Sequence, residues 1–140
     1  MDFLRLLHSW NRWLVLIVAI VALVYFALGL LQKRSWDKNA ALLARVFPII
    51  VNIQWLLGVL FLLQTWAQQG GVAPPIWGHA LTMTIAGGIA GMTAMWRKRE
   101  LPDDIRYRNH LLVVIVVLIV IFIGITLLPA FIQWRFYTGT

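Results

Sequence analysis

The chain has 140 residues, 61% of them hydrophobic and 12% charged, with a mean hydropathy of +0.83 and a formal net charge of +7. A soluble domain needs a surface about a quarter charged, so this composition excludes that class and points to a membrane protein. There is no cysteine, which rules out disulfides, thiolate metal sites and cysteine nucleophiles, and the basic residues flank apolar segments, where lipid headgroups and topology account for them without nucleic acid.

The first apolar segment runs from Trp13 to Leu31 and is preceded by "LRLLHSWNRW". A helix capped near Asp2 and continuing to Leu31 is about 30 residues, roughly 45 Å long, which exceeds the ~30 Å hydrocarbon core. Its first turns therefore stand in the headgroup zone. Arg5, His8 and Arg12 follow an i, i+3, i+7 spacing and share one stripe of that helix. The segment is too long for a signal peptide and leads into "QKRSWDK" rather than a small-residue cleavage site, so it is expected to be retained.

The second segment, Val46 to Trp66, has Pro48 in its expected first turn and carries Asn52, Gln54 and Gln64. The connection "AQQGGVAPP" holds Gly70, Gly71, Pro74 and Pro75, and either Pro75 or Ile76 can open the third segment, Ile76 to Trp96, where a missing N–H costs nothing. His79 falls about one turn into it, followed by Thr82, Thr84 and Thr93 and by Gly87, Gly88 and Gly91. Gly87 and Gly91 form a GxxxG pair, which suits close approach of another backbone or a flat ligand. The fourth segment, Leu111 to Ile132, has almost no polar residue besides Thr126. Pro129 is expected to bend or end it, and His110 is expected to anchor its interfacial start.

Each segment is about 19 to 22 residues, the length a helix needs to cross a bilayer. The predicted fold is therefore all-α, an integral membrane up-down-up-down four-helix bundle forming a single domain over residues 1–140. Nine of the twelve basic residues lie in the first and third connections, and the second connection has none. The positive-inside rule then puts both termini and the Gly/Pro connection outside. Seven of the eight tryptophans fall near segment ends, as an aromatic belt requires; Trp55 alone is deep.

In hydrocarbon a polar side chain must face another helix or a cavity. Arg5 and Arg12 are on the outer side, so the positive-inside rule does not explain them. Lipid phosphate, a partner's carboxylates or those of a cofactor would. His8 and His79 lie at comparable depth on two helices. Paired imidazoles across a bundle can hold a haem iron, with arginine on a propionate. In that reading Arg12 or Arg5 takes the propionate, Gly87 or Gly58 makes room for the macrocycle, and Trp10, Trp13 and Trp77 line it. An interfacial or interhelical hydrogen-bonding role for the histidines is the competing reading.

The stretches "HSWNRW", "NIQWLLG" and "GHALTM" together resemble small bacterial four-helix membrane proteins labelled cytochrome-b-like, whose pattern is His-Ser-x-x-Arg-Trp, His-x-Gln-x-x-x-Gly and His-x-x-x-Met on successive helices. The resemblance covers three of the four segments. It implies functional positions at His8, Ser9, Arg12, Trp13, Gln54, Gly58, His79 and Met83, a haem b cofactor with His8 and His79 as metal ligands, and a bacterial cytoplasmic membrane. This chain departs at one place, with Asn52 where the pattern has the second-helix histidine. Asn52 is a poor iron ligand and lies deeper than His8 and His79, so its loss bears on any second haem.

Two functions compete. One is a membrane electron carrier, exchanging electrons between a quinol, with quinone as a candidate ligand, and a redox partner on the outer side. The other is a haem-free accessory subunit of a larger respiratory or photosynthetic complex, its helices docking other membrane subunits. A transporter is disfavoured because no Asp or Glu lies within a segment. Hydrolytic chemistry lacks a nucleophile with an adjacent base and a carboxylate pair.

Overall fold

The computed structural model describes residues 3–135, 137 and 138, and is all helical among them. The helices are α1 (Phe3–Leu31), α2 (Lys38–Gln69), α3 (Pro74–Gly91), the short α4 (Ala94–Arg97) and α5 (Asp103–Thr126). Three of them, α1, α2 and α5, are long and apolar enough to cross a membrane. The proposed cap at Asp2 lies outside the described residues.

Helix boundaries differ from the hydropathy segments where polar capping extends a helix past its apolar run. Asp37 accepts the Ala40 N–H at 2.7 Å, so α2 starts at Lys38, well before Val46. Pro48 consequently lies inside α2 rather than in its first turn. Its missing N–H interrupts the ladder, and the Asn52 amide donates to the Pro48 carbonyl at 2.8 Å. At the far end Gly70 takes a φ of 72° and its N–H closes on Trp66 O, a left-handed stop that glycine adopts without strain.

The third segment is not one uninterrupted helix to Trp96. α3 stops at Gly91, and the chain continues through tighter bonds, Thr93 N–H to Ala90 O and Met95 N–H to Met92 O, into α4. Three glycines weaken the helix here, and the buried Thr93 hydroxyl also donates to Ala90 O at 2.9 Å. The fourth segment is shifted toward its N-terminus: α5 begins at Asp103 and ends at Thr126, before Pro129.

The four long helices close a ring of contacts, with α1 and α3 each packed against α2 and α5. Small residues permit this, with Ala19, Ala22, Ala40, Ala44, Ala86 and Ala90 all buried. Branched and long apolar residues such as Ile17, Ile20, Leu81, Ile119 and Phe122 face outward. That inversion is what a lipid-solvated surface tolerates and an aqueous one does not.

Candidate functional site

The helices line a partly open cavity of about 280 Å³ at the end that holds the start of α1, the start of α3 and the end of α5. Its walls are mostly apolar, with Val15, Val51, Phe61, Ile121 and Ile125 among them. Into it project Arg5, His8 and Arg12 from one stripe of α1, and His79 and Met83 from α3. The ring centroids of His8 and His79 are 6.5 Å apart, with the planes at 89°. The helices that carry them are separated by α2 and α5, so the two imidazoles come together only across the interior.

Each imidazole is held differently. His79 Nδ1 is 2.9 Å from the Gly124 carbonyl of α5. A carbonyl only accepts, so Nδ1 carries the proton and Nε2 keeps its lone pair. His8 lies against α2, where Gly58 receives it: a Cβ at position 58 would be 3.0 Å from His8 Cε1. Gln54 fixes the same turn, donating from Nε2 to the His8 carbonyl at 2.9 Å and accepting from Asn11 Nδ2 at 2.9 Å. Gln54 Nε2 is also 3.5 Å from His8 Nε2, too long for a strong bond. His8 Nδ1 is buried without a hydrogen-bond partner.

Arg12 brings a charge with no obvious counterpart. One of its terminal nitrogens donates to the Arg135 carbonyl, its guanidinium lies 5.3 Å from the Trp13 ring, and its Nε is buried without a partner. Among the described residues the carboxylates Asp37, Glu100, Asp103 and Asp104 all lie in the connections or the first turn of α5, at the opposite end. A half-buried cation with no carboxylate among the described residues at its end of the molecule is a site that suits an anionic ligand group.

The donor set fits a haem in chemistry. Two imidazoles with ring centroids 6.5 Å apart lie on one cavity that arginines also enter, residue types that can hold a haem iron and its propionates. No group of three or more His, Cys, Asp or Glu occurs among the described residues. Two protein ligands suffice only for a metal that arrives with its other ligands. The volume lies just below the ~300–1,000 Å³ of typical ligand pockets, so a macrocycle requires one wall to yield.

The residues singled out in the sequence divide. Arg5, His8, Arg12, Gly58, His79 and Met83 all line the cavity, as do Ser9 and Gln54. Gly87 does not: Asn52 Oδ1 and Trp55 of α2 lie 3.1 and 3.8 Å from where its Cβ would be, so its small size serves helix contact. Trp13 packs on Trp134 at 6.3 Å instead of entering the cavity. Arg135 and Tyr137, which line the cavity from beyond α5, carried no signal in the sequence because no periodicity extends past Pro129. Asn52, at the position where the cytochrome-b-like pattern has histidine, bonds to Pro48 and, at 3.4 Å, to the Gly87 carbonyl. No known protein family, curated protein or solved structure matches the chain.

Proposed function

We propose that the chain is a membrane-embedded electron-transfer protein that binds a b-type haem between His8 and His79. The single observation that supports this most is the convergence of two imidazoles, from helices not adjacent in the ring, on one largely apolar cavity. When bound, haem supplies one-electron chemistry at its iron. His79 offers Nε2, its tautomer set by the Gly124 carbonyl. His8 is the opposing ligand, its backbone pinned by Gln54 and its ring accommodated by Gly58. Arg12, with Arg5 at the same end, neutralises propionate, and the aliphatic walls exclude water.

We propose further that the four long helices form an up-down-up-down bundle in a bacterial cytoplasmic membrane, with α3 and α4 together making the remaining crossing and both termini outside. Supporting this are the three spanning-length helices and the nine basic residues confined to the α1–α2 and α4–α5 sides. The haem then sits near the outer surface, in reach of a redox partner there and of a membrane quinol.

The absorption spectrum of the purified protein, as isolated and after addition of haemin, tests the assignment. A reducible Soret and α band that disappear in His79→Ala are expected. A protein without bands under both conditions is instead the haem-free accessory subunit. For topology, a cysteine at Gly70 in this cysteine-free chain is expected to react with an impermeant reagent from outside, and labelling from the cytoplasm alone reverses the orientation.

A further inference from the structure

Beyond Thr126 the chain does not leave the helices. It turns back over the cavity, and Leu128, Ile132, Arg135 and Tyr137 form part of the cavity lining. Gln133 Nε2 donates to the Leu128 carbonyl at 2.6 Å and, at 3.3 Å, to that of Thr126, which folds the segment onto the end of α5. Two further bonds tie it to α1: Arg12 donates to the Arg135 carbonyl and the Tyr137 N–H to Ser9 Oγ at 3.3 Å. The Arg5 guanidinium lies 4.4 Å from the Tyr137 ring centroid.

The segment is also strained. Trp134 has a φ of 55°, a left-handed conformation unfavourable for a bulky side chain. It is kept there by packing against Trp13 and, at 5.2 Å, Phe122. A wall made of one covering segment, a few side-chain bonds and a strained anchor opens more easily than any of the helices around it. With the segment in this position the cavity is small for a macrocycle, and the residue that latches the wall is the same Arg12 whose Nε has no partner.

We propose that the segment from Leu127 to Arg135, together with Tyr137, is a movable wall of the cavity, latched by Ser9 and Arg12, through which an anionic amphiphilic ligand is admitted. Arg12 exchanges the Arg135 carbonyl for the ligand's carboxylate, a stronger, charge-assisted partner. The wall then closes over the apolar body. Only the identity of that ligand as haem rests on the proposed function; the opening itself does not.

The absence of cysteine from the chain makes the test direct in the full-length protein. A reporter cysteine is introduced by Ala80→Cys, in the cavity wall, and its reaction with a water-soluble impermeant maleimide is timed. It is expected to react slowly, and at least tenfold faster when Trp134→Ala or Ser9→Ala is added. Equal rates with and without these changes, helical content being retained by circular dichroism, overturn the proposal. Should the loosened variants fail to fold, the pair S9C and Y137C, oxidised to a disulfide, fixes the wall shut. Haemin then is expected to load at least tenfold more slowly than after reduction, and equal loading overturns the proposal. If no haemin binds in either state but the maleimide rates differ as expected, the wall stands and the haem assignment falls. If haemin binds at the same rate in both, the reverse holds.

Discussion

At one end of the ring His110 is enclosed by Trp36, Phe26 and Trp96, with ring centroids 5.2, 5.6 and 5.9 Å away, and Tyr107 fills the remaining space so closely that it is fully buried against Gly29. At the other end His8 and His79 are 6.5 Å apart across a cavity, and the glycine there, Gly58, receives the edge of an imidazole. The same residue types thus make a packed plug at one end and an open site at the other. What differs is the filling. Where aromatic rings occupy the space between helices, histidine is one more ring in a core, and where aliphatic walls stand apart, a nitrogen such as His8 Nδ1 is left without a partner.

Several substitutions set the two ends against each other. On the proposed haem site the largest effect is expected from His79→Ala, as loss of haem retention, whereas His110→Ala is expected to leave the absorption bands in place and to lower only the unfolding temperature. Loss of the bands in both would erase the distinction between the ends. Next in size is Gly29→Ala. The added Cβ falls 2.3 Å from Tyr107 Cε1, and the Tyr107 hydroxyl is tied to the Ser35 carbonyl at 2.9 Å, so the ring cannot swing aside. Overpacking of this kind costs about 1–3 kcal/mol, readable as a lower midpoint in thermal unfolding in detergent.

Gly58→Ala is milder, because its Cβ meets His8 Cε1 at 3.0 Å and a ring at a cavity wall can retreat. A loss of haem affinity of no more than about tenfold, ~1.4 kcal/mol, is expected with unchanged unfolding. An unfolding midpoint lowered as far as in Gly29→Ala would mean that this end is as tightly filled as the other. The smallest effect concerns Asp37, where the Tyr25 hydroxyl and then the Ala40 N–H hold the carboxyl below the usual range. A lowered value in the folded state means that this contribution is present above the ordinary aspartate range near pH 4 and fades as the pH falls through the lowered value. Asp37→Asn is expected to flatten that acid limb of the stability profile, and an unchanged limb shows that the cap does not titrate there.

Much of this was legible in advance. The stripe Arg5, His8, Arg12 faces one cavity because a helix brings i, i+3 and i+7 together whatever surrounds it, and Pro129 lies beyond the end of α5 because its ring and missing N–H do not suit a helix interior. His110, expected at the interfacial start of its helix, is instead buried among aromatic rings. Hydropathy placed the start of its helix at Leu111, but α5 begins at Asp103, which puts His110 two turns inside and against the core. Pro48 likewise lies inside α2 and not in its first turn, because α2 begins at Lys38, before the apolar run. Apolar runs report what lies in hydrocarbon, while helices continue into polar sequence as far as caps allow.

The sequence by itself determined the helical character and four apolar segments, three of which form helices long and apolar enough to cross a membrane, and it set His8, Arg5 and Arg12 on one stripe of α1. Those properties depend on hydropathy, spacing and side-chain chemistry, all local. Only the tertiary structure decided that α1 and α3 stand across the ring from each other with His8 and His79 in reach, that Gly87 packs on α2 while Gly58 admits His8, and that residues beyond α5 return to cover the cavity. These depend on which helix faces meet, and that is settled by how small and large side chains interlock between segments far apart in the chain.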